Sequence, residues 1–250
     1  MAFGYGADLA LRQRDAAFSP GGLFTAGVEG LWYDPSDLGS MFQDSPGTIA
    51  AALNAPVGRI NDKSGRGNHA LQAGSAARPI LRQDGTGKSY LEFDGMDDSL
   101  VASFTGITQP WHRISAIQQI GWTYGDRIFG GRTTGGGSLA QESTSPQLFL
   151  YDGTTATGLR NGGLAVGVTG VVSERHASPT SSITINNGTA GTGDGGSDVT
   201  FGGVAIGADT GVARFGNFRL YGVTQIHRDL TASEVASLRR FHGGKAGLSL

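Results

Sequence analysis

The stretch LEFDGMDDSL, residues 91–100, holds the densest set of groups that could do chemistry. Glu92 and Asp94 stand two apart, so on a strand both carboxylates project from one face. Two carboxylates so placed can flank a glycosidic bond as acid and base or nucleophile. Gly95 interrupts the alternation before Asp97, which fits an acidic turn between LEF and SLV better than a continuous catalytic strand. Asp94, Asp97 and Asp98 also offer oxygens of the kind Ca²⁺ takes, although a hard cation wants about six or more of them. Turn, Ca²⁺ site and hydrolase pair all stay open here, and the turn is the reading that explains the glycine.

A second group suits sugar binding, which needs aromatic faces for the ring and planar polar groups for its hydroxyls. GWTYGDR (121–127) offers Trp122, Tyr124, Asp126 and Arg127, and QLFLYDG (147–153) adds Tyr151 and Asp152. Trp122 and Tyr151 fit equally well as side chains packed on a sheet.

Other polar clusters read as local structure. In DKSGRGNHALQ (62–72), Asp62, Ser64 and Asn68 can bond turn amides while Gly65 and Gly67 take positive φ, so a tight turn is expected. GTGDGGSD (191–198) holds a single misordered copy of a Ca²⁺-binding nonapeptide and reads as a flexible hairpin loop. The histidines at 69, 112, 176, 227 and 242 lack H-x-x-x-H or H-E-x-x-H spacing, and His227 should end a strand. There is no cysteine, no G-x-S-x-G elbow and no phosphate-binding G-x-x-x-x-G-K-[ST] loop. Enzymatic activity is not expected.

The elements that must hold these residues follow from glycine. It supplies 43 of 250 residues, well above the usual ~7%, and it punctuates short runs of alternating apolar residues. That pattern predicts many strands joined by tight turns, hence an all-β two-sheet sandwich. Strands are expected within EGLWYDP (29–35), VGRIND (57–62), NHALQA (68–73), RPIL (78–81), SYLEFDG (89–95), SLVASF (99–104) and HRISAIQQIGW (112–122). Further ones fall within RIFGG (127–131), SLAQES (138–143), QLFLYDG, GVTGVVSERHA (167–177), SSITINNG (181–188), TFGGVAIGAD (200–209) and RFGNFRLYGVTQIHR (214–228). Asp34-Pro35 resembles a helix start, giving helical turns over 35–42, with another over 48–53. A short C-terminal helix begins in DLTASEVASLRRFHGG (229–244). Thr231 and Glu234 form its capping box, Val235 and Leu238 share a face, and Gly243-Gly244 should stop it. Residues 1–28, with a possible helix over 7–17, read as an N-terminal arm or attachment segment, and 29–250 as one sandwich domain.

Charge and hydropathy narrow the partners. A net charge of −2 with no basic stripe argues against nucleic acid. No apolar run reaches the ~20 residues of a membrane span, and MAFGYGADLALRQRD lacks the layout of a secretory signal.

Four phrases, LWYDPSDLGSMFQDSPGT (31–48), VGRINDKSGRGNHALQ (57–72), LEFDGMDDSL and RLYGVTQIHRDLTASEV (219–235), resemble the concanavalin A-like jelly roll of laminin G-like type. The first two together are similar to a group of bacteriophage and prophage structural proteins. Glu92-x-Asp94-x-x-Asp97 also comes near the E-x-D-x-x-E strand of glycosidases with this architecture, with Asp in place of the second Glu. The resemblance implies a non-enzymatic virion protein: a tail, baseplate or fibre component, or a capsid decoration. It would be made in the host cytoplasm, displayed on the virion surface as a homo-oligomer, and joined to other virion proteins through residues 1–28. The alternative it leaves is a receptor-binding module for host-surface glycans, with or without Ca²⁺, and, less favoured, a depolymerase.

Overall fold

LFLY (148–151) shows the rule that builds the molecule: Leu148 and Leu150 are fully buried, while Phe149 and Tyr151, alternating with them, are partly exposed. Period-two alternation puts one set of side chains into a core and the other on an outer face. The computed structural model describes residues 18–132, 136–153, 159–197, 202–210 and 213–250. Among these, strands of this kind form two antiparallel sheets.

One sheet contains β1 (Gly30–Tyr33), β5 (Ile80–Gln83), β6 (Ser89–Asp94), β8 (Trp111–Gln119), β13 (Thr169–His176), β14 (Ser181–Ile185), β15 (Gly191–Gly193) and β17 (Asn217–Ile226). The other contains β2 (Met41–Phe42), β3 (Arg59–Ile60), β4 (Ala70–Leu71), β7 (Leu100–Ser103), β9 (Arg127–Gly131), β10 (Ser138–Gln141), β11 (Leu148–Tyr151), β12 (Leu159–Asn161) and β16 (Gly203–Ile206). The first runs β15-β14-β13-β8-β17-β6-β5, with β1 pairing the far half of β17; the second runs β12-β11-β10-β9-β16-β7-β4-β3-β2. This is the expected jelly-roll sandwich. Leu91, Phe93, Ile117 and Phe218 of the first sheet share one core with Leu100, Leu139, Leu148 and Ile206 of the second.

The outer face of the first sheet carries a second apolar cluster, including Trp32, Ile114 and Tyr221, covered by Leu238 of the helix α1 (Ala232–Lys245) and by Phe24. Phe241 sets its ring edge-on to both Trp32 and Phe18. Residues 18–28, placed in the arm from sequence, therefore pack on the sandwich. Arg66 adds hydrogen bonds to the carbonyls of Phe24 and Thr25. The rest of the arm, with its expected helix, lies outside the described residues.

The 62–72 turn forms as expected. Asp62 accepts from the amides of Trp32, Ser64 and Asn68, and Gly65 and Gly67 adopt φ of 83° and 77°. The capping box at Thr231 and Glu234 is present.

Four local expectations are corrected. Helix α1 continues through Gly243 and Gly244 to Lys245, whose ammonium reaches Asp34 at 2.8 Å. Asp34 does not cap a helix; it accepts from Ser36, and a single 3₁₀ turn, Leu38–Ser40, precedes the strand Met41–Phe42. Residues 48–53 are not helical, because Ala50 bridges to Phe42. Gly191–Gly193, expected as loop, is an edge strand paired with β14.

Between the sheets lies a buried polar network. Arg113 and Glu174 form an ion pair with both side chains fully buried, and Arg113 also donates to the Gly137 carbonyl. His176 stacks on Trp111 at 3.6 Å and presents its two ring nitrogens to Asp152 and Glu174. Asp152 in turn accepts from the Gly137 amide and from Gln109. At the other end of these strands, Gln141 of β10 donates to Gln119 of β8 at 2.8 Å. These bonds fix the end of the sandwich where β9, β10, β11 and β12 lie.

Candidate functional site

At that end the outer face of the second sheet is hollow. Pairing sets Arg127 opposite Ala140, Ala140 opposite Phe149 and Phe149 opposite Arg160, one row across four neighbouring strands. Ala140 is the small member, so it forms a low floor between larger neighbours. Tyr151 follows Phe149 on the same face, with the two rings 5.8 Å apart and nearly parallel. The result is a cleft of about 280 Å³ lined also by Tyr124, Gly125, Gln141, Glu142 and Arg214. Three strand spacings separate the outer arginines, about 14 Å at ~4.8 Å each.

The rim is a loop held firmly to β10. Gln141 donates from its side chain to the Gly121 carbonyl and accepts the Thr123 amide at 2.7 Å. Its own backbone bonds both Gly125 and Asp126. Tyr124 stands at the tip, 70% exposed. Gly125 has φ of 87°, and a Cβ there would lie 2.8 Å from the Arg214 guanidinium. Glycine at this position lets that guanidinium lie against the loop.

The electrostatics are those of a crowded cationic site. Burial lowers the pKa of Arg127, Asp209 works against this, and the like charge of Arg214 adds to the lowering. Arg127 donates to the Gly125 carbonyl and stands 3.7 Å from Asp209. Arg160 lies over the Phe149 ring and pairs with Glu142 at 2.7 Å. The Ser143 amide first, and Arg160 besides, hold the Glu142 carboxyl below its usual range.

Of the residues picked from sequence, Tyr124, Arg127 and Tyr151 converge on the cleft. Trp122 packs its ring against the core and donates its indole N–H to the Glu142 carbonyl. Asp126 is half-buried beside the loop, where desolvation raises its pKa, and does not line the cleft. Asp152 belongs to the interior network. Sequence reasoning missed Phe149, Glu142, Arg160 and Arg214. Phe149 alone had a local signal, its spacing of two from Tyr151; the others arrive by pairing of distant strands.

The acidic stretch also assembles. Carboxylate oxygens of Asp94, Asp97 and Asp98 lie within 4.8 Å of one another. Asp94 accepts from the amides of Met96 and Asp97, and Asp98 from that of Asp94, which is the bonding of a turn. Burial, reinforced by the neighbouring carboxylates, pushes Asp98 up to about 7. Glu92 is held between Arg82 and Arg219 at 3.3 and 3.2 Å. Those two guanidiniums give it the surroundings of a structural ion pair.

Similarity to solved structures is at the level of fold. A sialidase from Trypanosoma rangeli superimposes with a TM-score of 0.58 and 15% identity over 88% of this chain, which spans 33% of the sialidase. Domain 4 of an extracellular arabinanase from Geobacillus stearothermophilus, solved in complex with arabinotriose, gives a TM-score of 0.57 and 11% identity. That match covers 85% of this chain and 98% of the domain. The binding domain of Paraclostridial mosquitocidal protein 1 gives 0.53 and 11%, over 73% of this chain and 49% of that one. No protein-family model and no curated protein matches the chain. At such identities the likeness establishes the two-sheet sandwich, and the chemistry must be argued from this chain's own residues.

Proposed function

We propose that this chain is a non-enzymatic carbohydrate-binding sandwich, with the cleft between Tyr124, Arg127 and Tyr151 as its sugar site. The observation that carries this is the joining of aromatic faces to planar polar groups on a rim already fixed by hydrogen bonds. A preformed rim lowers the entropy lost on binding, and rings such as Tyr151 and Phe149 give contact area with few rotors to freeze. The arabinanase domain, solved with arabinotriose, is a nearly full-length fold neighbour and is compatible with this reading.

The setting rests on the sequence resemblance alone. It is the surface of a phage particle, with other virion proteins and host glycans as partners and the chain repeated as a homo-oligomer. Deleting residues 1–17 should then abolish incorporation into particles, and normal incorporation would remove the anchoring role.

The binding test is titration of the purified chain against host-envelope polysaccharide and an oligosaccharide panel, with Ca²⁺ and with EDTA. Saturable binding is expected, with Tyr124→Ala and Tyr151→Ala each weakening it by roughly 10-fold or more. Because Tyr124 is 70% exposed, its variant should melt as the parent does. Loss of binding in EDTA would bring Asp94, Asp97 and Asp98 into the function. Absence of binding across the panel, or indifference to both tyrosine variants, would refute the cleft as a sugar site.

A further inference from the structure

The charges around the cleft do not cancel in pairs. Glu142 answers Arg160, Asp209 lies nearest Arg127, and Asp126 acts on both Arg127 and Arg214 without forming an ion pair with either. Arg214 is exposed, and among the described residues its side chain has neither an ion pair within 4.0 Å nor a hydrogen bond. Arg127 has hydrogen-bond donors to spare, since Nη2 is 3.7 Å from Asp209 and Nε has no partner. The two guanidiniums are close enough to repel: burial lowers the pKa of Arg127 most, and the like charge of Arg214 adds to it. Arg214 also holds a left-handed backbone at φ of 53°. A non-glycine residue in that region is strained, and such strain tends to gather where a site needs a particular side chain.

We infer that the cleft takes an anionic saccharide, a sugar chain bearing carboxylate or sulfate groups. This rests on the sugar reading above and names its ligand class. The anionic group lies between Arg127 and Arg214, where charge-assisted bonds to guanidinium are short and directional. The sugar ring sits on Tyr151 and Phe149, and Tyr124 closes over it from the rim. Bound this way, the anion relieves the repulsion between the two arginines. The pair therefore favours an acidic sugar over a neutral sugar of the same shape.

The test compares matched ligands by calorimetry: oligogalacturonate against its methyl ester, and sulfated against unsulfated galactan oligomers. At least one acidic member should bind roughly 10- to 100-fold more tightly than its neutral counterpart, and which one does so identifies the anion. The preference should shrink with added salt. Arg214→Gln should bring the ratio close to one, Arg214→Lys should keep part of it, and Arg240→Gln on the far surface should leave it intact. Equal affinity for acidic and neutral members would overturn the anionic assignment and leave the sugar site standing. No binding by any member, or a preference untouched by Arg214→Gln, would overturn it as well.

Discussion

Trp122 and Tyr124 stand two residues apart, and the structure uses them differently. The indole turns inward because its N–H finds the Glu142 carbonyl, while the phenol remains in solvent at the loop tip. Sequence could nominate both as sugar platforms but could not decide between them, because the partner that settles it lies 20 residues away. Arg214 was equally illegible: only strand pairing brings it beside Gly125. The acidic trio was legible as a cluster, and its proximity is real. What spacing could not reveal is that Asp98 alone is buried. With its folded pKa raised to about 7 from 3.8, Asp98 is neutral to folding while both states are protonated and opposes it increasingly as pH rises from about 4 to 7. Asp98→Asn keeps an oxygen for the Asp94 amide and removes the charge. It should raise the melting temperature much more at pH 8 than at pH 5, because the cost accumulates from about pH 4 to pH 7; an equal shift at both pH values would deny the burial cost.

At the scale of elements, strands were easier to read than helix ends. Alternation in SYLEFDG or QLFLYDG marks buried and exposed faces directly, so those strands appear where expected. The two-residue strand Met41–Phe42 is too short to show a period, and it exists because Arg59–Ile60, expected within VGRIND, supplies the pairing. Gly243 and Gly244 should have ended α1. They do not, because the helix is held beyond them by the contact of Lys245 with Asp34 and by packing of Leu248 and Leu250. The capping box then carries the other end: Thr231→Ala should cost about 1 kcal/mol, read as a drop in urea midpoint. The rim loop offers a sharper test of preorganisation. Gln141→Ala removes the bonds to Gln119, Gly121 and Thr123 together. Calorimetry should show weaker ligand binding with a larger unfavourable entropy, whereas unchanged binding would mean the loop needs no clamp.

Across the whole molecule, the core holds charge as well as oil: the Arg113–Glu174 pair lies on the inner face of the first sheet, and Arg113 reaches across to the Gly137 carbonyl. Arg113 and Glu174 are fully buried, and the removal of one partner strands the other in the core. Arg113→Met should therefore cost roughly 3–5 kcal/mol, well beyond an ordinary surface change. Burial also sets how stability answers to pH. His227 and His242 are each pushed down to about 3 by desolvation. Unfolded, they take up protons below about 6.5, so their contribution is full above that pH and is lost as pH falls towards 3. Asp98 works the other way, holding a proton in the folded state up to about 7 that the unfolded chain has already released. From about pH 4.5 to 6 these two histidines, with His69 and His112 lowered in the same sense, outweigh the one aspartate, so unfolding free energy should rise with pH. His242→Gln removes one of the favourable protons and should flatten that slope. Asp98→Asn removes the opposing one and should steepen it. Urea titrations of the three proteins across this interval separate the contributions. A parental slope near zero, or two variants that shift it in the same direction, would show that these buried groups do not govern the acid response.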